Sequence, residues 1–307
     1  MEVVRGIDSG ALPFEKSAVT IGFFDGVHRG HQAVIGRAVQ AADGDGLTPV
    51  AVTFDRHPRE VLTPGNVPPL LTTLERKSAL IEELGVDVLV VLEFTEDFSR
   101  WSPEEFVAKA LVERLKIAHA LVGSNFTFGH KAKGNLAVLT ELGAWYGFTV
   151  EGVPLFTIDG RPVSSSSIRT ALLEGDLAWP TLALGRRFIV DGRVVRGAGR
   201  GAGLGFPTAN LEVDPQMLLP AEGVYAGKAI VGGRTYVAAI NVGTNPTFGS
   251  EPLHAEAFLL DFGGDVLGEP ITLEFWERLR DEVRFDSGDD LARQIQEDVE
   301  RTRSLVA

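Results

Sequence analysis

The run Ser17-Ala18-Val19-Thr20-Ile21-Gly22-Phe23-Phe24-Asp25-Gly26-Val27-His28-Arg29-Gly30-His31 constrains this chain more than any other stretch. Residues 18–22 are apolar and β-branched, the pattern of a short buried strand. Phe23-Phe24-Asp25-Gly26 breaks that pattern, and a helix is predicted to begin near Arg29. His28 and His31 are three apart, so helical spacing puts both imidazoles on one face of the first turn. That turn has open backbone N–H groups and the positive end of the helix dipole, which favour an anion by ~0.3–1 kcal/mol. Gly30 removes a side chain between the imidazoles, so a phosphate can come close. Two imidazoles beside open amides suit the charge that develops on a phosphate during transfer. The plainer alternative is a strand–turn–helix with two solvated histidines. The coincidence of strand, glycines and helix start at one point favours the site.

To about residue 154 the pattern then alternates. Strands are predicted over 18–22, 49–54, 87–92, 119–123 and 148–153, with helices over 31–42, 74–84, 103–115 and 136–146. The third helix has Ser102 as N-cap, Pro103 at the first helical position and Glu105 at the capping-box position. Short apolar strands alternating with amphipathic helices predict a parallel sheet covered on both faces, a Rossmann-like α/β domain. Ligands of such sheets bind beyond the carboxyl ends of the strands, so the loops after the strands carry the information. Thr53-Phe54-Asp55-Arg56-His57-Pro58 follows the second strand, and Gly123-Ser124-Asn125-Phe126-Thr127-Phe128-Gly129 the fourth. Two close aromatics in a glycine-flanked loop suit a planar ring, though the same pair can plug a core. The loop 63–72, rich in proline and glycine, is either a lid or a connector. Arg161-Pro162-Val163-Ser164-Ser165-Ser166-Ser167-Ile168-Arg169 reads as a cap and flexible loop, or as a phosphate cradle with Arg169 as its clamp.

The character changes near 179–184. Beyond it strands are predicted over 187–194, 223–231, 235–242, 254–261 and 271–276, separated by Gly232-Gly233, Asn245-Pro246 and Gly263-Gly264. Strands at this spacing predict a small antiparallel β-barrel. A last helix opens at Ser287 and Asp290, with Leu291, Ile295 and Val299 as its packing stripe. Residues 185–205 hold seven glycines and five arginines against one aspartate, the composition of a phosphate-cradling loop. This loop leads into Gly205-Phe206-Pro207-Thr208-Ala209-Asn210-Leu211, and no Walker lysine motif is present. Glu256 shares a strand face with His254 and Phe258.

Gly22-Phe23-Phe24-Asp25-Gly26-Val27-His28-Arg29-Gly30-His31 resembles the His-x-Gly-His signature of the nucleotidylyltransferase superfamily. Residues 164–169 resemble its second element, with Ser166 where a threonine is usual. GFPTANL, with Asn241–Phe248 and His254–Asp261 downstream, is similar to the riboflavin kinase signature. Both halves together resemble the prokaryotic bifunctional riboflavin kinase/FAD synthetases over nearly all 307 residues. Two further departures stand out: Arg56 replaces a usual proline, and Asn125 stands where many relatives carry aspartate. The resemblance implies an FMN adenylyltransferase domain over 1–183 and a riboflavin kinase domain over 184–307. It implies riboflavin, FMN, FAD and ATP as ligands, and Mg²⁺ held by Thr208 and Asn210. Glu256 would be the general base toward riboflavin, and His28 and His31 would stabilise adenylyl transfer. Gly22, Phe23, Phe24, Gly30, Ser164, Ser165, Arg169, Gly199 and Gly201 would contact ATP or its phosphates. Asn125, Phe126, Phe128 and His57 would contact the flavin. The alternative is an adenylyltransferase for another substrate, joined to a flavin-binding regulatory barrel.

Composition sets the remaining bounds. A chain of 307 residues is long for one core and comfortable for two. A net charge of −13 weighs against nucleic acid as the main partner. No apolar run is long enough to span a bilayer, and the N-terminus does not read as a signal peptide. The absence of cysteine excludes disulfides and thiolate metal sites and fits a cytoplasmic protein. Homo-oligomerisation stays open.

Overall fold

The computed structural model describes residues 1–6, 12, 14–197, 200–203, 205–244 and 253–306. The chain forms two compact units, Met1–Ser164 and Ser165–Ala307.

The first unit is built on six strands: β1 (Glu2–Arg5), β2 (Ser17–Ile21), β3 (Thr48–Phe54), β4 (Val88–Leu92), β5 (Ile117–Gly123) and β6 (Thr149–Val153). All pair in parallel, in the order β1-β4-β3-β2-β5-β6. β2 and β4 are buried at every residue, as strands covered on both faces must be. The covering helices are α1 (Arg29–Asp45), α2 (Pro58–Leu62), α3 (Leu74–Glu82), α4 (Glu96–Ser99), α5 (Pro103–Glu105) and α6 (Leu136–Tyr146). The α5 capping box forms as expected: Glu105 N–H donates to Ser102 Oγ at 3.2 Å, and Ser102 N–H donates to Glu105 Oε2 at 3.0 Å. The helix then continues as π-helical turns over Phe106–Arg114, which bury Phe106, Val107, Ala110 and Leu111. Sequence reading missed β1, whose residues are mostly exposed and which pairs only with β4.

The strand order places the site. From β2 the chain moves outward through β3 and β4, then returns to β5 on the other side of β2. Ligand crevices open at such a reversal, beyond the carboxyl ends of the strands. The turn that follows β2 therefore lies at the switch point. A short hairpin, β7 (Thr157–Ile158) with β8 (Arg161–Pro162), precedes the serine-rich loop.

The second unit opens with α7 (Ser165–Leu173) and α8 (Ala178–Leu184). Six antiparallel strands follow: β9 (Phe188–Val195), β10 (Ala209–Glu212), β11 (Gly223–Val231), β12 (Arg234–Gly243), β13 (His254–Leu259) and β14 (Pro270–Arg280). They close a barrel in the order β10-β13-β12-β11-β14-β9, with β9 also pairing β10. The sixth strand, β10, comes from the Gly-Phe-Pro-Thr-Ala-Asn-Leu segment that sequence reading left outside the barrel. Tyr225 and Phe275 fill the interior, edge to face at 5.4 Å. Between β9 and β10 lies the four-residue α9 (Arg200–Gly203), and the unit ends with α10 (Gly288–Val306). Asp290 N–H donates to the Ser287 cap at 3.1 Å, as predicted. Val299 is buried while Leu291 and Ile295 are half-buried. Asp298 on the same helix takes a forked pair from Arg280, with contacts of 2.8–3.2 Å.

The sequence expectation puts the domain boundary at 183/184; the compact unit that holds the barrel also takes in α7 and α8. Ala221 N–H, beside the barrel, donates to Leu172 O of α7 at 2.9 Å.

Candidate active sites

The turn after β2 is built on backbone that ordinary residues avoid. Phe24, Gly26 and Val27 have φ of 54°, 80° and 38°, and such a cluster of left-handed residues persists only where its surroundings hold it. Asp25 does much of the holding. Its carboxylate, 2% exposed, accepts from the Leu71 and Thr72 amides at 2.9–3.1 Å and lies 3.4 Å from Thr72 Oγ1. Gly26 N–H donates to Thr72 Oγ1 at 3.0 Å. The end of the 63–72 loop is thus tied to the turn. Gly22 is required for packing: a Cβ there would lie 2.7 Å from the Phe24 ring.

His28 is the N-cap of α1, and its Nδ1 accepts from the His31 amide at 3.2 Å. The two imidazoles stack with centroids 3.6 Å apart and planes 18° from parallel, and Phe24 meets His31 edge-on at 5.3 Å. The Nδ1 of His31 is buried and takes no hydrogen bond. Burial first, then the charges of His28 and Lys77, hold the His31 imidazole well below its ordinary 6.5. Gly30 makes room for the His28 ring itself, since a Cβ there would approach it to 3.1 Å.

Sequence reading missed Lys77. Read in Leu74-Glu75-Arg76-Lys77-Ser78 it resembles a solvated helix charge, yet it is 3% exposed. Its Nζ sits 4.1 Å from the centroid of the Phe23 ring and 3.4 Å from Thr53 Oγ1. Phe23 is met on another side by His57, edge-on at 4.8 Å. His57 caps α2, accepting from Arg59 N–H at 3.0 Å while its own N–H donates to Glu60. Arg56, the departure from the family pattern, pairs with Asp55 at 2.8 Å. Burial pushes the Asp55 carboxyl up, but Arg56 and the Phe94 amide outweigh it and hold the group below its ordinary value.

The loop after β5 divides its aromatics. Phe128 is buried in the core beside Phe106, while Phe126 stacks on it at 5.5 Å and keeps partial exposure. Phe128 is thus a core plug, and a ligand ring reaching this loop would meet Phe126 first. Asn125 is exposed. Ser164 ends the first unit, while Ser165 opens α7 and Arg169, 8% exposed, sits one turn on.

In the barrel, the expected trio comes together. Asn210 on β10 lies directly opposite Glu256 on β13. Thr208 Oγ1 donates to Glu256 Oε2 at 3.0 Å, and His254 Nε2 lies 3.2 Å from Glu256 Oε1. The Asn210 amide occupies the space a Cβ would fill at Gly197. Gly201 starts no clash because it lacks a Cβ, which would lie 2.3 Å from Phe206 O. Gly199 and residues 245–248 lie outside the described residues. Among the described residues no cluster of three His, Cys, Asp or Glu could hold a metal. A hydroxyl, an amide and one carboxylate are hard oxygen donors with little charge, which fits Mg²⁺ shared with substrate phosphates.

The family model described as FAD synthetase matches residues 13–167, and that described as riboflavin kinase matches 184–306. A bifunctional riboflavin kinase/FMN adenylyltransferase of Bacillus subtilis is 40% identical over 92% of this chain and 90% of its own. That of Haemophilus influenzae is 35% identical over 99% of both chains. The crystal structure of a protein named macrolide-efflux protein, from Streptococcus pneumoniae, matches with TM-score 0.89 and 30% identity, covering 99% of each chain. Among the described residues of this chain, no helix is long and apolar enough to cross a membrane.

Proposed function

Because the chain belongs to the bifunctional riboflavin kinase/FMN adenylyltransferase family, we propose that its two reactions divide between the His28/His31 turn and the Thr208/Glu256 pair. The enzyme phosphorylates riboflavin to FMN with ATP, then adenylylates FMN to FAD with release of pyrophosphate. The match of the riboflavin kinase model across the barrel supports a catalytic barrel over the alternative of a merely regulatory one.

In the barrel, Glu256 takes the proton of the riboflavin ribityl hydroxyl as its oxygen attacks the γ-phosphorus of ATP, and ADP leaves. Positioned general bases contribute ~10²–10⁴ in rate. Thr208 and Asn210 would hold Mg²⁺, which when bound neutralises charge on the ATP phosphates. The observation that carries this assignment is the Thr208–Glu256 bond at 3.0 Å beside Asn210. His254 and Thr208 between them fix both carboxylate oxygens, so one rotamer of Glu256 is held.

In the first unit, an FMN phosphate oxygen attacks the α-phosphorus of a second ATP, and the bond to pyrophosphate breaks. No proton has to move and no covalent enzyme intermediate is needed, so positioning and electrostatics suffice. His28 and His31 donate to the phosphates at the switch point. Ser164 binds the departing pyrophosphate, and Phe126, Asn125 and His57 receive the flavin.

One chromatogram tests the reading. Incubation with riboflavin, ATP and Mg²⁺ should give FMN and then FAD, and unchanged riboflavin would sink it.

A further inference from the structure

We propose that Lys77 is a positioning residue for adenylyl transfer, supplying the fixed positive charge that favours the ATP triphosphate at the turn after β2. The inference rests on the assignment of that reaction to the His28/His31 turn.

The argument starts from what a buried ammonium needs. Lys77 has three N–H donors, and its neighbours are the Phe23 ring at 4.1 Å and Thr53 Oγ1 at 3.4 Å. No carboxylate among the described residues lies within ion-pair distance of it. Asp25, an acid that acts on it, already takes the amides of Leu71 and Thr72. Burying a cation with so little compensation costs stability, and a group kept at such cost marks a functional position.

Its placement says which function. Phe23 follows β2 and Thr53 lies near the end of β3, so the ammonium sits where the carboxyl ends of these strands open. The groups near it are Asp25 from the turn, His31 from α1, Thr53 from β3, and His57 through Phe23. His31 cannot supply a standing charge, because its imidazole is deeply desolvated and stacks on His28 at 3.6 Å. Lys77 can, and in a site of low dielectric its field reaches farther than in water. At 3% exposure it acts through Phe23 and His31 rather than as a direct ligand.

Burial pulls the ammonium from its ordinary 10.5 to about 8, with Asp25 opposing. It is therefore charged below that pH and neutral above it, and the bound triphosphate favours the charged form. The test is kcat/KM for ATP in FAD formation from supplied FMN, measured from pH 6.5 to 9.5 on the full chain. Wild type should fall by up to about tenfold between pH 8 and 9, following the titration at about 8. K77M should be low and flat across that range. K77R, which keeps the charge, should retain activity and lose the alkaline fall. Riboflavin phosphorylation by the same preparations should be unchanged.

An alkaline fall that persists in K77R overturns the proposal, and so does K77M activity equal to wild type at pH 7. K77R carries the decision if K77M does not fold. If H31A also leaves FAD formation intact, the assignment of the module fails rather than the role of Lys77.

Discussion

The imidazole of His28 lies 3.6 Å from that of His31, nearly parallel, and its Nδ1 takes the His31 amide proton at 3.2 Å. One side chain thus does two jobs, ending the left-handed turn and presenting a second ring to it. With Nδ1 accepting, a neutral His28 carries its proton on Nε2. Both rings cannot be charged at this separation without strong repulsion. The pair presents a neutral His31 imidazole stacked on His28, ready to meet phosphate charge as it develops.

Removing His31 should cost adenylyl transfer alone. Loss of one preorganised donor costs ~2.7–4 kcal/mol, or about 10²–10³ in rate. H31A supplied with riboflavin and ATP should accumulate FMN. A chromatogram showing riboflavin left unphosphorylated in the folded variant would contradict the division of labour.

The state of His31 also fixes a pH dependence of stability. Its folded value is held well below 6.5, so below pH 6.5 the unfolded chain takes up a proton that the folded chain refuses. The sign follows: this contribution is complete above 6.5 and is lost as pH falls through the folded value. Wild type should lose more stability than H31Q between pH 7 and pH 5 in urea unfolding. Equal losses would mean that the ring is not held neutral.

These predictions rest on features of unequal legibility in the sequence. The strand, turn and helix around Gly22 and His31 could be read directly, because local periodicity and helix-start chemistry act within a few residues. The closed barrel was legible from turn spacing, but β10 was not, since Ala209–Glu212 is four residues long and follows a proline. Lys77 was invisible for a different reason. A lysine between Arg76 and Ser78 has the pattern of an exposed face, and only tertiary packing puts it under Phe23. Asp25 was read as part of a strand break. Its partners, Leu71 and Thr72, are far away in sequence, so nothing local shows the loop it ties down. Phe126 and Phe128 looked equivalent, and their different depths arise from the core around Phe106.

The domain boundary can be tested by truncation. The compact unit begins at Ser165, and Leu172 accepts from Ala221 beside the barrel at 2.9 Å. Gly175 leaves room for Arg278, where a Cβ would approach the side chain to 2.8 Å. A fragment of residues 165–307 should therefore unfold at a higher temperature than one of 184–307. Both should make FMN from riboflavin and neither should make FAD. Identical thermal midpoints would support a boundary at 183/184, and a folded fragment inert toward riboflavin would remove the kinase assignment.

The last prediction concerns the carboxylate of Glu256. Thr208 Oγ1 holds one of its oxygens at 3.0 Å and His254 Nε2 lies 3.2 Å from the other. E256Q keeps the size of the side chain and one acceptor oxygen, so the barrel should keep its stability. What it loses is a lone pair able to accept the ribityl hydroxyl proton. Riboflavin phosphorylation should fall by ~10²–10⁴, the range for a positioned general base. Supplied FMN should still become FAD at the wild-type rate, because that transfer belongs to the other unit. H31A should show the opposite pattern, and the crossover between the two variants carries the decision. A positioning role for His254 predicts a smaller effect: H254A should leave Glu256 in place on Thr208 alone, lowering kcat for riboflavin with little change in KM. Were E256Q to block FAD formation from FMN in a folded protein, the two sites could not be independent. Were it to phosphorylate riboflavin normally, the proton would have to go elsewhere, and Glu256 would be only a strut between Thr208 and His254.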